Sequence, residues 1–319
     1  MISRKILTVS AILTILFCFS ISALADSDNS RVGTRAFNFL KIEVAARPVA
    51  MGGAFTGIAD DESALYYNPA GIAALEGKRY ILGYHNSIFD MQSGFVGYIH
   101  PLGYDKKLAI YVDYLNYGDF IRTDNTGNEL GTFSGSDILM GLGFGIDFNE
   151  DFQVGAVAKL IYEKIDDYSA HGFAFDLGVR KAFDYGRTTM GIMVQNLGVQ
   201  LSSFIEDADT DPLPLRFRAG LSHLPKDFPA RLVGDVILPT DNDIYFAVGF
   251  EVIKTEPLFL RLGWTSFGSN YKTGASGEDI GGFSAGFGLK YKNMNISYAV
   301  SPQAELGTSH RITLTGGFD

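Results

Sequence analysis

Along most of this chain, apolar residues alternate with small or polar ones at every second position, and this alternation restricts the possible folds more than any other feature of the sequence. The clearest example is segment 282–291, whose apolar positions are Phe283, Ala285, Phe287, Leu289 and Tyr291. Successive side chains of a strand point to opposite faces, so this segment predicts a β-strand with one apolar face. The pattern returns along most of the chain, which predicts an all-β fold.

From residue 78 onward, the alternation and the turn residues between the alternating segments predict fourteen strands. Each strand with its connection takes about 17 residues, which leaves room for the roughly 9–11 residues of a strand that crosses a bilayer. The approximate bounds are 78–87, 91–100, 107–120, 137–148, 152–165, 172–183, 187–198, 214–223, 230–238, 243–253, 258–267, 280–291, 294–302 and 308–318.

The lengths of the connections separate a membrane barrel from a soluble β-sandwich. The connections after even-numbered strands have six residues or fewer, whereas 121–136, 199–213 and 268–279, after odd-numbered strands, have twelve or more. Two odd connections, 87–90 and 239–242, are short. Short turns at one end and longer loops at the other are typical of outer-membrane barrels. We therefore predict a transmembrane antiparallel β-barrel of about 14 strands, with a soluble β protein as the alternative.

The N-terminus has the features of a cleaved signal peptide. Arg4 and Lys5 precede an apolar run over 6–19, and Ala23-Leu24-Ala25 offers a small-residue cleavage site. The run is shorter than the roughly 20 residues that a spanning helix needs. We expect residues 1–25 to be the signal peptide, 26–77 a separate N-terminal segment and 78–319 the barrel, placed in the outer membrane of a diderm bacterium among its lipids.

Composition and charge exclude several classes of function. The single cysteine, Cys18, lies in the predicted signal peptide, so we expect no disulfide and no thiolate metal site in the mature chain. The formal net charge of −10 argues against nucleic acid as a partner. The five histidines fall on separate predicted strands or at strand ends, without metal-ligand spacing. We predict neither a metal nor a cofactor.

Two short motifs resemble catalytic or phosphate-binding loops. Gly282-Phe283-Ser284-Ala285-Gly286 matches the G-x-S-x-G elbow of hydrolases, but an elbow turns from a strand into a helix and here the alternation continues. The glycine-rich run 141–145 is not followed by a helical pattern, as a nucleotide loop would be. We interpret both as small residues on the inner face of strands, and we predict no catalytic residue.

Charged residues inside predicted strands share a face with glycines and are expected to point into the lumen. They either form a structural ladder of charge pairs, the reading we favour, or line the lumen for selectivity. The candidates are Asp147, Asp176, Arg180, Arg216, Arg218, Arg261, Lys290 and Arg311.

Residues 26–77 are rich in small residues and lack alternation. Asp60 and Asp61 can cap a short helix over 62–66, and Asn68 with Pro69 fits the start of another that Gly77 ends. The consecutive Gly52 and Gly53 would let the backbone pack closely against a wall.

A stretch of about thirty residues in this segment resembles a known family. The strings FLKI at 39–42, AMGGAF at 50–55 and ADDESALYYNPAG at 59–71 resemble the N-terminal signature of FadL-like outer-membrane proteins, most of all the PorV/PorQ branch. The resemblance implies a small hatch that plugs a fourteen-stranded barrel from the periplasmic side. Its architectural or gating residues would be Gly52, Gly53, Asp60, Asp61, Asn68, Pro69, Ala70 and Gly71.

The resemblance implies two functions. As a PorV/PorQ-like protein, the chain would assist type IX secretion or surface attachment of exported proteins that carry C-terminal signals, with loops 121–136 and 199–213 as the working surface. As a FadL-like channel, it would admit long-chain fatty acids or other hydrophobic small molecules through a gap in the wall and movement of the hatch. A third reading, an outer-membrane lipase, lacks a serine, histidine and acid constellation in the sequence.

Overall fold

The computed structural model describes residues 32–88, 91–149, 151–205, 208–271 and 280–318. The predicted signal peptide and its cleavage site lie outside the described residues. Among the helices that are described, none has both the length and the hydropathy required to cross a membrane.

The chain from Lys78 to Phe318 forms a closed barrel of fourteen antiparallel strands, in which β1 pairs with β14. The predicted fold and strand number are therefore confirmed. The strands are β1 Lys78–Asn86, β2 Gln92–Pro101, β3 Lys106–Thr123, β4 Glu129–Asn149, β5 Phe152–Ile165, β6 Tyr168–Phe183, β7 Thr188–Ser202, β8 Arg216–His223, β9 Ala230–Pro239, β10 Tyr245–Val252, β11 Leu258–Thr265, β12 Phe283–Tyr291, β13 Met294–Pro302 and β14 Thr308–Phe318.

The two faces of the wall differ as the alternation predicts. Phe283, Phe287 and Tyr291 are exposed on the outside, whereas Ser284 between them is buried on the inside. In β11, Leu260 and Leu262 are likewise exposed on either side of the buried Arg261. An apolar exterior of this kind is suited to contact with lipid acyl chains.

The wall has two unlike ends. Connections after even-numbered strands are short turns, and we call their side the turn end; the other side is the loop end. Strands β3 and β4 have 18 and 21 residues, but β8, β10 and β11 have only 8 each. The wall is therefore much taller on the side of β3 and β4.

Two predicted loops are partly strand, so those predictions are wrong. Most of 121–136 continues the β3–β4 hairpin, and β7 extends to Ser202 instead of ending at 198. A register shift between Asn116 and Asp119 interrupts the alternation in β3, where Gly118 has a φ of 77°. A bulge adds a residue and moves later side chains to the opposite face, so two-residue alternation does not reveal the continuation.

The segment before the barrel lies inside the lumen. It contains a 3₁₀-helix at Asn38–Lys41, α1 at Ala46–Ala50, α2 at Ala64–Tyr67 and a second 3₁₀-helix at Pro69–Ala74. The last begins as predicted, because the Asn68 side chain accepts a hydrogen bond from the Ala70 N–H and Pro69 occupies the first turn. It ends at Ala74 instead of Gly77, and α2 begins at Ala64 instead of Glu62.

Glycines on the inner face of the wall make room for this segment. A side chain at Gly155 would overlap the backbone of Pro69, and a Cβ at Gly249 would lie 2.5 Å from the Cβ of Met51. At one place a glycine of the inner segment packs against a glycine of the wall: a Cβ at Gly57 would lie 2.6 Å from the backbone of Gly220 in β8. The inner glycines of the alternating strands are therefore a surface against which other backbone packs.

Candidate functional site

The lumen is filled by two consecutive segments, which we call the strap, residues 35–43, and the plug, residues 44–75. The strap is tied to the loop end: the Arg35 guanidinium donates to the Thr240 carbonyl at 3.1 Å, and the Lys41 ammonium lies 2.7 Å from the Asp241 carboxylate. The Ala36 N–H donates to the Pro212 carbonyl at 3.2 Å. These contacts attach the strap to the loops that follow β7 and β9.

A cavity of about 320 Å³ opens between the strap, the plug and the wall at the loop end. Ile42 and Val49 contribute to it from inside, and Ile237, Tyr245 and Phe267 from the wall and loops. The polar residues around it include Lys41, Glu43, His85, Arg216, Asp241 and Arg311. Its volume falls in the range of small-molecule sites, which are mostly apolar with a few placed polar groups.

The plug is held at the turn end by a cluster of ion pairs centred on Arg47, which we call the turn-end ion cluster. The Arg47 guanidinium lies 2.6 Å from Asp60, 2.8 Å from Asp61 and 2.8 Å from Glu251 of β10. Arg231 of β9 adds a second contact to Asp60 at 2.5 Å. Burial opposes ionisation of Asp60, but the charges of Arg47 and Arg231 outweigh it and hold its pKa well below the usual range. The cluster therefore joins the plug to the wall through ionised groups.

A second buried carboxylate of the plug, Glu62, lies 2.5 Å from Arg79 of β1. Burial, followed by the nearby charge of Asp61, raises the pKa of Glu62 to about 7, against the opposing attraction of Arg79. The folded protein therefore retains a proton that the unfolded chain releases near pH 4.5.

This shift predicts a pH dependence of stability. The contribution of Glu62 is fully present below its unfolded pKa near 4.5, and it is lost as the pH rises through about 7. We expect the free energy of unfolding to fall over this window in the wild type and to fall less in Glu62→Gln, measured by urea unfolding at several pH values. Glu76→Gln, which changes an exposed carboxylate nearby, is the control. Parallel pH profiles for Glu62→Gln and the wild type would contradict the assignment.

Several predicted lumen charges bind the lumen-filling segments directly. Arg180 donates to the Ile58 carbonyl at 3.0 Å, Arg216 to Leu40 at 3.0 Å, Arg218 to Gly53 at 2.6 Å and Arg311 to Glu43 at 3.1 Å. Hydrogen bonds of this kind, from an ionised donor, are stronger than neutral ones. These four arginines thus connect the wall to the backbone of the strap and plug.

The other predicted charges pair within the wall or lie at its edge. Asp176 pairs with Lys159 at 2.5 Å, and Arg261 pairs with Glu251 at 2.8 Å. Asp147 accepts a hydrogen bond from Gln153 at 3.0 Å near the turn end. Placing Lys290 in the lumen was wrong: it is exposed at the turn end and pairs with Glu256 at 2.6 Å. The alternation does place it on the inner side, but the wall ends there.

The residues of the predicted hatch motif fix the backbone of the plug. Gly52 and Gly53 have φ of 71° and 85°, a region that favours glycine, and the Gly52 N–H donates to Ser284 Oγ at 3.1 Å. The Asn68 amide donates to the Thr56 carbonyl at 2.9 Å and to the Val179 carbonyl of β6 at 3.1 Å. The backbone at Ala70 is capped by Asn68, and Gly71 packs against the Ala59 carbonyl, where a side chain would overlap it.

Strand β7 has 15 residues but its neighbour β8 has only 8, and we call the junction between them the seam. Their pairing ends at Gln195 and Arg216, and beyond it the described residues show a single bridge from Val199 to Pro212. A bulge precedes the break, with Asn196 at a φ of 62°. The outer half of β7 therefore has no continuous strand partner on this side in the described part of the chain.

A buried polar cluster stabilises the bulge at the seam. The Lys159 ammonium donates to Asn196 Oδ1 at 2.9 Å, and the Asn196 N–H donates to Asp176 at 2.8 Å. The sequence analysis predicted neither the bulge at Asn196 nor the ion pairs of Arg47. Two adjacent polar residues, Gln195 and Asn196, interrupt the alternation of β7 and could have signalled the bulge.

No group of His, Cys, Asp or Glu among the described residues is arranged to hold a metal ion.

Comparison with known proteins supports the fold. The toluene transporter TbuX of Ralstonia pickettii superposes with a TM-score of 0.59 at 14% identity, covering 86% of this chain and 98% of that one. The toluene transporter TodX of Pseudomonas putida gives 0.56 at 13%, covering 83% and 96%. A FadL homologue of Pseudomonas aeruginosa gives 0.55 at 12%, covering 87% and 99%. At these identities the likeness shows a shared FadL-like barrel fold.

In sequence, the chain is 24% identical over 301 residues to a UPF0164 protein of Treponema pallidum, covering 85% of this chain and 68% of that protein. No family model matches the chain. The FadL-like part of the predicted resemblance is thus confirmed as a fold, whereas the PorV/PorQ assignment stays a prediction.

Proposed function

We propose that this chain is an outer-membrane channel for hydrophobic small molecules, gated by the strap. The observation that carries the proposal is the cavity of about 320 Å³, which is bounded by the strap on one side and by the loop end of the wall on the other. The apolar exterior of the barrel supports a membrane location, and the structural neighbours include toluene transporters that share the fold.

The seam offers a way out of the lumen that avoids the plug. The ring of Phe37 in the strap packs against Gly172 of β6, beside the outer half of β7 that lacks a continuous partner. A solute that enters the cavity from the loop end would reach the seam if the strap moved aside. It would then leave sideways into the membrane.

The plug itself is a poor candidate for the moving part. Its backbone packs against wall glycines such as Gly155 and Gly249, and the turn-end ion cluster joins it to β9 and β10. The strap, by contrast, is held by individual side-chain contacts: Arg216 and Arg311 of the wall bind its backbone, and Lys41, which is partly exposed, pairs with Asp241. We therefore assign gating to the strap and a fixed, sealing role to the plug. The hatch motif is then architectural.

Cross-linking the strap to the loop end tests this gate. In Lys41→Cys/Asp241→Cys, a short bismaleimide should hold the strap in place and lower uptake of radiolabelled toluene by about tenfold in cells that lack other channels, as expected when a closed conformation is locked. The mature chain is predicted to contain no other cysteine, so the reaction is confined to the introduced pair.

A matched control uses the exposed pair at the opposite end, Lys290→Cys/Glu256→Cys, treated in the same way. Its cross-link should leave uptake unchanged. Equal uptake before and after cross-linking of the strap would rule out the gating role, and absence of uptake by the untreated protein would rule out the channel.

Assistance of protein secretion is the second candidate function. It is supported by the motif at 39–71 and by the long β3–β4 hairpin, where Phe120 stacks on Phe133 at a ring distance of 5.3 Å and Ile121 and Leu130 are exposed. Removing residues 119–134 should abolish surface attachment of exported proteins in this case and leave toluene uptake intact. Loss of neither property would count against the secretion role.

A further inference from the structure

Arg216 differs from the other buried arginines of the wall. Its side chain is 2% exposed, yet no carboxylate of the described residues lies within ion-pair distance, whereas Arg218 lies 3.0 Å from Asp235 and Arg261 lies 2.8 Å from Glu251. Its Nη2 donates only to the Leu40 carbonyl at 3.0 Å and to the Tyr66 hydroxyl at 3.2 Å, and its Nε has no hydrogen-bond partner in the described structure. A buried charge without a counter-charge is costly.

Arg216 also lines the cavity at the loop end. His85, across the same cavity, is 3% exposed, and its Nε2 has no hydrogen-bond partner among the described residues. The Lys41 ammonium, in contrast, is already paired with Asp241 at 2.7 Å. Glu43, the other carboxylate on the cavity, lies 3.8 Å from Arg218, so neither carboxylate of the cavity forms an ion pair with Arg216. Arg216 is therefore a buried guanidinium without an ion-pair partner, beside apolar side chains such as Ile42 and Phe267.

We propose that this cavity binds a compact amphiphilic carboxylate, with its carboxylate on Arg216 and its apolar body against Ile42, Ile237 and Phe267. The inference rests on the proposed channel function and names its substrate class. A guanidinium is the side chain best suited to a planar carboxylate, which it binds through parallel N–H donors. The ligand would supply the ion-pair partner that Arg216 does not have among the described residues.

The size of the cavity limits the apolar body. Its volume of about 320 Å³ is roughly twice the ~150 Å³ that takes up one benzene molecule. One aromatic ring with a short acid side chain fits this space, whereas a long acyl chain exceeds it. The site is therefore selective for compact acids over long-chain ones.

Binding at Arg216 is coupled to the strap. The same guanidinium holds the strap through the Leu40 carbonyl, and a charged acceptor is a stronger partner than a neutral carbonyl. A carboxylate that takes over this donor weakens one of the contacts that keep the strap in place. Ligand entry thus favours release of the gate.

The experiment is calorimetric titration of the purified full chain in an uncharged detergent with four probes: phenylbutyrate, phenylbutanol, toluene and palmitate. The wild type should bind phenylbutyrate about tenfold or more tightly than phenylbutanol, the difference expected for a hydrogen bond to a charged group. Palmitate should bind more weakly than phenylbutyrate. In Arg216→Met, the dissociation constants of phenylbutyrate and phenylbutanol should differ by no more than about twofold. Arg216→Lys should retain part of the preference for phenylbutyrate.

Controls separate charge recognition from folding. Lys181→Met removes an exposed positive charge away from the cavity and should keep the wild-type preference. Heat-modifiable migration on electrophoresis reports whether each variant is a folded barrel. If Arg216→Met does not fold, Ala247→Leu serves as a second variant, because it fills part of the cavity. It should weaken the binding of phenylbutyrate and phenylbutanol by the same factor.

Three results would overturn the inference: equal binding of phenylbutyrate and phenylbutanol by the wild type, an unchanged preference in folded Arg216→Met, or tighter binding of palmitate than of phenylbutyrate. The wild-type comparison decides the question even if no variant folds. Failure here is distinct from failure of the channel proposal, because uptake of toluene through the strap gate does not require Arg216 to bind an acid.

Discussion

Replacing Arg47 by methionine is expected to lower the free energy of unfolding by about 3 kcal/mol, which is the lower part of the range for breaking a buried ion pair. Arg47 is the partner of Asp60, Asp61 and Glu251, and its removal leaves these carboxylates with less counter-charge. We expect a loss of stability at the lower end of this range because, after the substitution, Arg231 still pairs with Asp60 and Arg261 still pairs with Glu251. Urea unfolding in detergent, followed by the fluorescence of the single Trp264, measures the change.

The same variant should loosen the plug at the turn end. Conductance of single barrels in planar bilayers should change from a closed wild-type baseline to frequent opening events, because the ion cluster joins the plug to β9 and β10. The matched control is Arg122→Met, whose partner Asp166 forms an ion pair near the loop end with a partly exposed arginine. An exposed pair contributes about 1 kcal/mol or less. Similar small effects of both substitutions would show that the cluster does not hold the plug.

Replacing Gly155 by valine is expected to prevent the plug from docking. A side chain at this position overlaps the backbone of Pro69 and Ala70, and backbone cannot give way as the end of a flexible side chain can. Overpacking of a core usually costs about 1–3 kcal/mol, and a clash with backbone belongs at or above the upper end. We expect loss of the folded, heat-modifiable barrel or a barrel that conducts permanently, judged by electrophoresis and conductance.

Gly94→Val in β2 is the control for the effect of valine itself. The nearest atom to a Cβ at Gly94 is 3.9 Å away, so the substitution meets no obstacle. Valine also has a higher strand propensity than glycine, so stability should be unchanged or increased. If Gly155→Val were as stable and as closed as Gly94→Val, the plug could not pack against the wall as described.

Local pattern explains which parts of the fold were predictable. The fourteen strands and the outward Phe283, Phe287 and Tyr291 follow from a two-residue period that each segment carries by itself. The turn from Asn68 into Pro69–Ala74 was also predictable, because the cap and the proline act within a few residues. The extension of β3 beyond Asn116 was missed, since its bulge shifts the period.

The candidate site was predictable only in part for a different reason. Alternation predicts that Arg216 and Arg218 share one face of their strand, but it gives no information on their partners. Arg218 pairs with Asp235 and the Gly53 carbonyl, whereas Arg216 meets only neutral acceptors. This difference between two arginines on one strand depends on residues up to 176 positions away.

The amino-acid sequence alone predicts a wall with an apolar outside and a small or charged inside, because side-chain alternation is a local property of a strand. The contacts of the inner glycines and charges, in contrast, depend on how the barrel and the plug pack together. Arg47 meets Glu251 across 204 positions of sequence, and Gly155 meets Pro69, only in the closed barrel with the plug inside it. The site is made of such long-range contacts, and no local pattern encodes which residues closure brings together.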